Sequence, residues 1–188
     1  MKVLICIPTR GMLYYKVAAF VASQAEMGFP SLYSSSSYGT EAARKKLTNT
    51  FLKFDYDYLF FLDDDVVPPN DVIGRLLKHD VDICTAEYPM LQEGELKSHC
   101  SLDGFHLSLG AYEGTMEIEK CGLGACLIKR KVVEACKDDF GFEFDDQGNV
   151  VKSEDYWFCE KARAKGYKIF ADFDVVCKHF KPIPLGGE

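Results

Sequence analysis

Short apolar runs alternate with longer segments of mixed polarity along the first half of the chain. Apolar runs of roughly 4 to 8 residues with β-branched and aromatic side chains predict buried strands, and amphipathic segments of roughly 10 residues or more predict helices. On this pattern, strands are predicted at residues 2–7, 32–36, 56–62 and 81–86. Helices are predicted at residues 12–27, 40–53 and 68–79, with Thr40 as the N-cap of the second helix.

The second half of the chain has a less regular pattern. Residues 87–120 are rich in glycine and polar side chains, which predicts loops and short strands. Further strands are predicted at 124–128, 168–170 and 175–178, helices at 129–137 and 153–165, and a loose tail at 182–188. The alternation predicts an α/β fold with right-handed crossovers and a Rossmann-like, mainly parallel central sheet that carries helices on both faces.

Length, composition and charge narrow the class of protein. A chain of 188 residues, of which 47% are apolar, predicts one globular domain over residues 1–188. The net charge of −7 argues against nucleic acid as a partner, because binding a phosphate backbone needs a basic surface. No apolar run approaches the roughly 20 residues of a membrane-spanning helix, and the N-terminal run is too short for a signal peptide. We therefore expect a cytoplasmic protein without a transmembrane segment.

The eight cysteines are spread over the chain and form no Cys-x-x-Cys pair. Several lie in apolar runs, where a free thiol behaves as a small hydrophobic side chain, so reduced and buried cysteines are expected. His99, Cys100, His106 and Cys121 could supply a zinc site, although their spacing matches no standard zinc pattern.

Three consecutive carboxylates follow the most apolar predicted strand. Asp63, Asp64 and Asp65 come directly after five apolar or aromatic residues and directly before two valines. In open parallel sheets, ligands bind at the carboxyl ends of the strands, so the triplet marks a candidate site. The other residues expected at this edge are Pro8, Thr9 and Arg10 after the first strand and the serines at 34–37 after the second.

The negative charges of the triplet need compensation. In an extended chain Asp63 and Asp65 point to the same face, with Asp64 opposite. Two like charges about 5 Å apart at an effective dielectric constant near 20 repel each other by roughly 3 kcal/mol. A divalent cation would remove this repulsion, and oxygen ligands favour Mg²⁺ or Mn²⁺ over zinc. The alternative is a solvated acidic turn.

The triplet resembles the Asp-x-Asp motif of GT-A-fold glycosyltransferases, in particular their large, inverting family-2-like group. The resemblance implies a GT-A fold and the transfer of a sugar from a nucleotide-diphosphate-sugar donor with the help of Mn²⁺ or Mg²⁺. It implies that Asp65 binds the cation that bridges the donor diphosphate. Asp63 or Asp64 would contact the ribose or take part in holding the cation.

Two segments before the triplet match the same family in the same order. Val3–Thr9 resembles the family's opening strand and its Pro-Thr turn, where the nucleotide base packs, so Pro8, Thr9 and the neighbouring Arg10 are candidates for donor binding. Arg44, in Glu41-Ala42-Ala43-Arg44, resembles the arginine that reaches the nucleotide. A cation on the surface of a helix is an equal alternative for Arg44.

A later pair of segments resembles the family's acceptor side. Gly122 and Gly124 match its glycine-rich strand, and Glu154 and Asp155 match its Glu-Asp pair at a helix start. The resemblance makes Asp155 the candidate general base for the acceptor hydroxyl, with Glu154 beside it. Taken alone, the two carboxylates could simply stabilise the helix start, because acidic side chains in the first turn suit the helix dipole.

Four further residues complete the candidate site. Tyr156 and Trp157 could stack on sugar faces, although aromatic side chains at such positions more often pack in the core. A late strand ends in His179, which resembles the family's second protein ligand for the metal, whereas a lone histidine is more often structural. Lys181 could contact the donor phosphates.

Taken together, the motifs predict an inverting, non-processive glycosyltransferase with a nucleotide-binding half at about residues 1–86 and a small, irregular acceptor-side half at about 87–181. The chain has no Gln-x-x-Arg-Trp motif, which argues against a processive polysaccharide synthase. The alternatives are a sugar-phosphate nucleotidyltransferase and a catalytically silent module that binds nucleotide-sugars. The sequence predicts neither the base, the sugar and the acceptor (a glycan, lipid, protein or small molecule) nor the oligomeric state.

Overall fold

A computed structural model describes residues 1–92 and 94–181, so the tail predicted at 182–188 lies outside the described residues. In the described part, the helices are α1 (Tyr15–Glu26), α2 (Thr40–Phe51), α3 (Val72–Leu77), α4 (Arg130–Cys136) and α5 (Glu154–Ala164). The strands are β1 (Val3–Thr9), β2 (Ser31–Ser35), β3 (Tyr58–Leu62), β4 (Val66–Val67), β5 (Ile83–Glu87), β6 (Pro89–Gln92), β7 (Glu95–Ser98), β8 (Ser101–Leu102), β9 (Phe105–His106), β10 (Thr115–Ile118), β11 (Ala125–Lys129), β12 (Glu143–Phe144), β13 (Val150–Lys152), β14 (Ile169–Val176) and β15 (Lys178–His179).

A central sheet of seven strands runs through both halves of the described chain, in the order β10-β14-β5-β11-β3-β1-β2. Strands β1, β2, β3, β5 and β14 are parallel to one another, whereas β10 and β11 are antiparallel to their neighbours. The predicted α/β fold is therefore confirmed, but the sheet is mixed, because three of its six strand pairings are parallel and three are antiparallel. The insertion of β11 between β3 and β5 was not predicted, because an apolar run does not reveal the direction of its strand.

Successive side chains along each strand point to opposite faces of the sheet and pack into two apolar layers. On β1, Leu4 and Cys6 pack with α2, α4 and α5, whereas Ile5 and Ile7 pack with α1 and α3. The predicted helices on both faces are therefore confirmed. Strand β3 is buried along its whole length because both of its faces are covered. All eight cysteines, which lie in the described part, are buried and free, as expected.

Several elements differ from the prediction in their bounds. Gly39, rather than Thr40, is the N-cap of α2, and its φ of 110° is a conformation that glycine adopts without strain. Helix α3 begins at Val72 rather than at 68, because residues 70 and 71 form a turn. The two late strands predicted at 168–170 and 175–178 form one strand, β14, which pairs with both β5 and β10.

The carboxyl ends of the parallel strands form one edge of the sheet, called the C-terminal edge below. Since β11 runs the opposite way, the residues that precede it, Gly122–Gly124, also lie at this edge. Strand β15 pairs with β4 and brings His179 beside Val66, directly after the acidic triplet. The start of α5 reaches the same edge, where Leu123 donates a backbone hydrogen bond to Asp155. No described helix is both long and apolar enough to cross a membrane.

Phe140→Ala should lower the free energy of unfolding by about 3–5 kcal/mol, the usual cost of emptying a buried phenylalanine site. The buried ring of Phe140 stacks on Phe158 of α5 at 5.0 Å between centroids and meets Phe61 of β3 edge-on at 6.1 Å. The control is Phe144→Ala at a 57% exposed residue, which should change the free energy by at most about 0.5 kcal/mol. Equal effects in urea denaturation would contradict this packing between β3 and α5.

Candidate functional site

A buried arginine joins three carboxylates from two other elements. Arg44 of α2 is only 1% exposed, and its guanidinium lies 4.9 Å from the ring centroid of Phe61. Its Nη2 donates to Asp63 Oδ1 at 3.0 Å, and its Nε donates to Glu154 Oε1 at 3.4 Å. The same Nη2 lies 3.2 Å from Asp155 Oδ1. The acidic triplet, the predicted arginine and the predicted Glu-Asp pair therefore meet at one point.

Acidic groups outnumber basic groups in this cluster, because three carboxyl groups surround one guanidinium. Burial by itself would lower the pKa of Arg44, but the charges of Asp155, Asp63 and Glu154 outweigh burial and raise it. Arg44 is thus permanently charged, and two of its three nitrogens, Nη2 and Nε, face protein carboxylates. A contact between Arg44 and a nucleotide stays a prediction, and only Nη1 of its three nitrogens has no hydrogen-bond partner among the described residues.

Asp155 has the surroundings of a proton acceptor. Its side chain is 16% exposed at the C-terminal edge, and its Oδ2 accepts a hydrogen bond from the Leu123 amide at 3.2 Å. Burial raises the pKa of Asp155, and the charges of Glu154 and Asp63 raise it further against the lowering effect of Arg44. A carboxylate whose pKa is raised towards neutrality can take a proton from a hydroxyl more readily than an ordinary aspartate.

Asp65 lies in a second group, together with His179 and Lys181. Its Oδ1 is 3.3 Å from His179 Nε2, and its Oδ2 accepts a hydrogen bond from Lys181 Nζ at 2.7 Å. Burial alone would raise the pKa of Asp65, but hydrogen bonds with His179 and Lys181 outweigh burial and lower it. Nδ1 of His179 lies 2.7 Å from the carbonyl oxygen of Pro89, so this nitrogen must carry a proton.

The acidic triplet forms a turn instead of an extended segment. Asp63 therefore faces Arg44 while Asp65 faces His179, and the expectation that both point to one face is wrong. The described residues contain no group of three or more histidine, cysteine or acidic side chains arranged to hold a metal ion. Of the three predicted ligands, the structure brings Asp65 and His179 together and places Asp63 with the arginine.

The turn after β1 is tied to the middle of the triplet. The amide of Arg10 donates to Asp64 Oδ2 at 3.3 Å, whereas its side chain is exposed. The hydroxyl of Thr9 donates to the carbonyl oxygen of Met12 at 2.8 Å, and Pro8 pairs with Ser34 of β2. These candidates for donor binding therefore lie beside the triplet, as expected for the carboxyl ends of adjacent parallel strands.

Two of the predicted acceptor-side residues are needed for close packing. A Cβ added to Gly122 would lie 2.2 Å from the hydroxyl oxygen of Tyr88, and one added to Gly124 would lie 2.9 Å from that oxygen and from Asp63 Oδ2. Tyr88, which directly follows β5 at the C-terminal edge, was not among the predicted site residues. Examining the residues after the fourth predicted strand, Glu87 and Tyr88, as was done for the first three, would have found it.

The aromatic residues at the start of α5 contact the protein itself. The hydroxyl of Tyr156 lies 2.9 Å from Ser101 Oγ and donates to the carbonyl oxygen of His99 at 3.2 Å. The ammonium groups of Lys152 and Lys161 lie 5.5 and 4.9 Å from a ring centroid of Trp157. Their predicted stacking on sugars stays a prediction.

The imagined zinc site is not supported. Both ring nitrogens of His99 are used by the backbone, because Nε2 lies 2.9 Å from the Ala86 carbonyl oxygen and Nδ1 accepts from the Gly122 amide at 3.0 Å. Cys121 instead lies beside Cys159, with 4.0 Å between the sulfur atoms. Burial raises the pKa of Cys100, so its thiol does not ionise near neutral pH.

Comparison with known proteins gives a structural match only. No protein-family model matches the chain, and no curated protein matches it. Among solved structures, the crystal structure of A197 from STIV is similar, with a TM-score of 0.72 and 22% sequence identity over 97% of this chain and 87% of that chain. At this identity the likeness shows that the two chains share an α/β fold.

Replacing Arg44 and replacing Asp155 should change stability in opposite directions. Arg44→Met leaves the buried carboxylates without a cation, and removing one partner of a buried ion pair costs about 3–5 kcal/mol. Asp155→Asn leaves the two other carboxylates, Asp63 and Glu154, on Arg44. Because the pKa of Asp155 is raised in the fold, the ionised side chain destabilises it, so the variant should be at least as stable as the parent at pH 7.

The dependence of stability on pH follows from the same raised pKa of Asp155. Between the usual aspartate value of 3.8 and the raised pKa, the folded state binds a proton that the unfolded state releases, so this contribution falls as pH rises. Below about pH 3.8, the advantage of Asp155→Asn should disappear. Arg163→Met, at an exposed surface ion pair, is the control and should cost about 0–1 kcal/mol. Equal losses for Arg44→Met and Asp155→Asn in urea denaturation would refute this account.

Proposed function

We propose that this protein is a metal-dependent glycosyltransferase of GT-A fold that moves a sugar from a nucleotide-diphosphate-sugar donor to an acceptor hydroxyl. The transfer inverts the anomeric configuration and adds one sugar at a time. One observation carries the proposal: the Asp65–His179 pair and the Asp63–Arg44–Asp155 cluster lie on either side of the same turn at the C-terminal edge. Four motifs that resemble one family in sequence thus converge in space.

The Asp65–His179 pair fits a divalent cation. Because Nδ1 of His179 donates to Pro89, a neutral His179 turns the lone pair of Nε2 towards Asp65 Oδ1 at 3.3 Å. Two acceptors this close need either a proton or a cation between them. Adjacent ligands of an octahedral Mg²⁺ lie about 3 Å apart, given metal–ligand distances of about 2.1 Å. Two protein ligands leave positions for phosphate oxygens and water, which is the usual arrangement for Mg²⁺ with nucleotides.

The chemistry of the bound cation, Mn²⁺ or Mg²⁺, is to neutralise the diphosphate as it leaves. Lys181, which contacts Asp65, adds a positive charge on the same side and can contact the phosphates. Pro8, Thr9 and Arg10 lie beside the triplet where the nucleotide would lie. The serines at the end of β2 can donate and accept hydrogen bonds, so they do not select one base.

Asp155 acts as the general base on the acceptor side. It takes the proton of the acceptor hydroxyl while the oxygen bonds to the anomeric carbon and the bond to the donor phosphate breaks. Arg44 holds Asp155 and Asp63 at fixed positions, and Glu154 keeps the local field negative, which favours the protonated product of that transfer. The acceptor would approach over Gly122–Gly124, where the backbone contacts Asp155.

Mn²⁺ together with a nucleoside diphosphate should raise the melting temperature of the protein, because ligand at 100 times its Kd stabilises the fold by about 2.7 kcal/mol. Differential scanning fluorimetry with each common nucleoside diphosphate, with and without Mn²⁺, measures the shift and identifies the base. Asp65→Asn and His179→Ala should each weaken binding by about 10- to 100-fold. Asp138→Asn, at an exposed aspartate, is the control and should bind like the parent.

The proposed donor site would be contradicted if no nucleoside diphosphate raised the melting temperature. It would also be contradicted if Asp65→Asn left the rise in melting temperature unchanged. Pyrophosphate release from a nucleoside triphosphate and a sugar phosphate would favour the nucleotidyltransferase alternative instead.

Asp155→Asn should lower the rate of nucleoside diphosphate release from the donor by about 10²- to 10⁴-fold while donor binding is retained. In the parent, kcat/KM should rise with pH until the raised pKa of Asp155 is passed, because only the ionised carboxylate accepts a proton. In Asp155→Asn, this rise of kcat/KM with pH should be absent. NMR of the product should show inverted anomeric configuration. Retained configuration would exclude the role of Asp155, and binding without any turnover by the parent would favour a silent nucleotide-sugar module.

A further inference from the structure

Tyr88 is buried between the two halves of the candidate site and contacts both. On one side, the edge of its ring meets His179 at 5.4 Å between centroids and an interplanar angle of 81°. On the other side, its hydroxyl oxygen accepts a hydrogen bond from the Gly124 amide at 3.1 Å. The ring therefore touches the predicted cation ligand, and the hydroxyl touches the Gly122–Gly124 segment, which lies beside the predicted base.

The ring of Tyr88 rests on a rigid support. His99 stacks on it at 3.6 Å between centroids and 4° between planes. Hydrogen bonds from His99 Nε2 to the Ala86 carbonyl and from the Gly122 amide to His99 Nδ1 fix the orientation of the imidazole. Burial lowers the pKa of His99 to about 3, so the imidazole is neutral at physiological pH and keeps this tautomer.

The hydroxyl of Tyr88 sets the position of the Gly122–Gly124 segment. Both glycines approach it so closely that a side chain at either position would collide with it. The same segment holds two acidic residues, because Gly124 accepts a hydrogen bond from the Asp63 amide at 3.0 Å and Leu123 donates to Asp155 at 3.2 Å. A shift of the hydroxyl therefore moves the backbone that positions Asp63 and the predicted base.

We propose that Tyr88 is a positioning residue for the sugar transfer, with its ring holding His179 at the cation and its hydroxyl holding the Gly122–Gly124 segment beside Asp155. This inference rests on the proposed function. Because ring and hydroxyl serve opposite ends of the site, substitutions that remove one or both separate their effects.

Tyr88→Phe keeps the ring and removes the hydroxyl. It should bind Mn²⁺ and the nucleoside diphosphate like the parent and lower kcat by about 10- to 100-fold with unchanged KM for the donor. Tyr88→Leu removes the ring as well, and it should weaken Mn²⁺–nucleotide binding by a similar factor in addition. Tyr112→Phe, which removes a hydroxyl at a partly exposed tyrosine, is the control and should leave both quantities unchanged.

A parent-like kcat for Tyr88→Phe would overturn the role of the hydroxyl. Equal losses of affinity and melting temperature in both variants would mean that Tyr88 is only a core residue, which also overturns the proposal.

A second experiment tests the role of Tyr88 without an activity assay and without a nucleotide. Long-range ¹H–¹⁵N correlation spectra of the histidine rings should show the Nε2–H tautomer for His99, and a proton on Nδ1 for His179, in the parent and in Tyr88→Phe. The spectrum of His179 should change in Tyr88→Leu, and an unchanged spectrum would overturn the role of the ring. If the parent binds no nucleotide but these spectra behave as expected, the proposed function fails while the structural role of Tyr88 stands.

Discussion

The ion cluster around Arg44 is the constraint on which the site depends. A guanidinium with almost no contact with water must keep its carboxylate partners, because an unpaired buried charge is far more costly than an exposed one. The partners come from the turn that follows β3 and from the start of α5, so one side chain of α2 fixes the relative positions of these elements. The same arrangement keeps Asp155 at the C-terminal edge, where burial raises its pKa against the lowering effect of Arg44.

The excess of carboxylates explains why the second group of the site matters. A donor diphosphate is an anion, and the described C-terminal edge presents Asp63, Asp64 and Asp65 in one turn with two more carboxylates nearby. An anion would be repelled there unless positive charge lies between it and the carboxylates. Lys181 brings a positive charge to this edge, beside Asp65 and His179. On this account, binding of the donor and binding of the cation depend on each other.

Much of this arrangement was accessible from the sequence. Apolar periodicity predicted the parallel strands and the layers of helices, and the rule that ligands bind at the carboxyl ends of parallel strands directed attention to the triplet. The direction of β11 and the turn at 63–65 were not accessible, because both are set by pairing with residues distant in sequence. For the same reason, the pattern around Arg44 gave no sign that its partners would be Asp63, Glu154 and Asp155. Tyr88 carried no motif and became visible only through the space that it occupies beside Gly122 and Gly124.

Pulsed electron paramagnetic resonance of Mn²⁺ added to the protein with a nucleoside diphosphate tests the central claim most directly. The account predicts simultaneous couplings of the bound Mn²⁺ to an imidazole ¹⁴N and to ³¹P of the diphosphate, with the nitrogen coupling absent in His179→Ala. Mn²⁺ that binds with phosphorus coupling but no nitrogen coupling, or that does not bind at all, would contradict it.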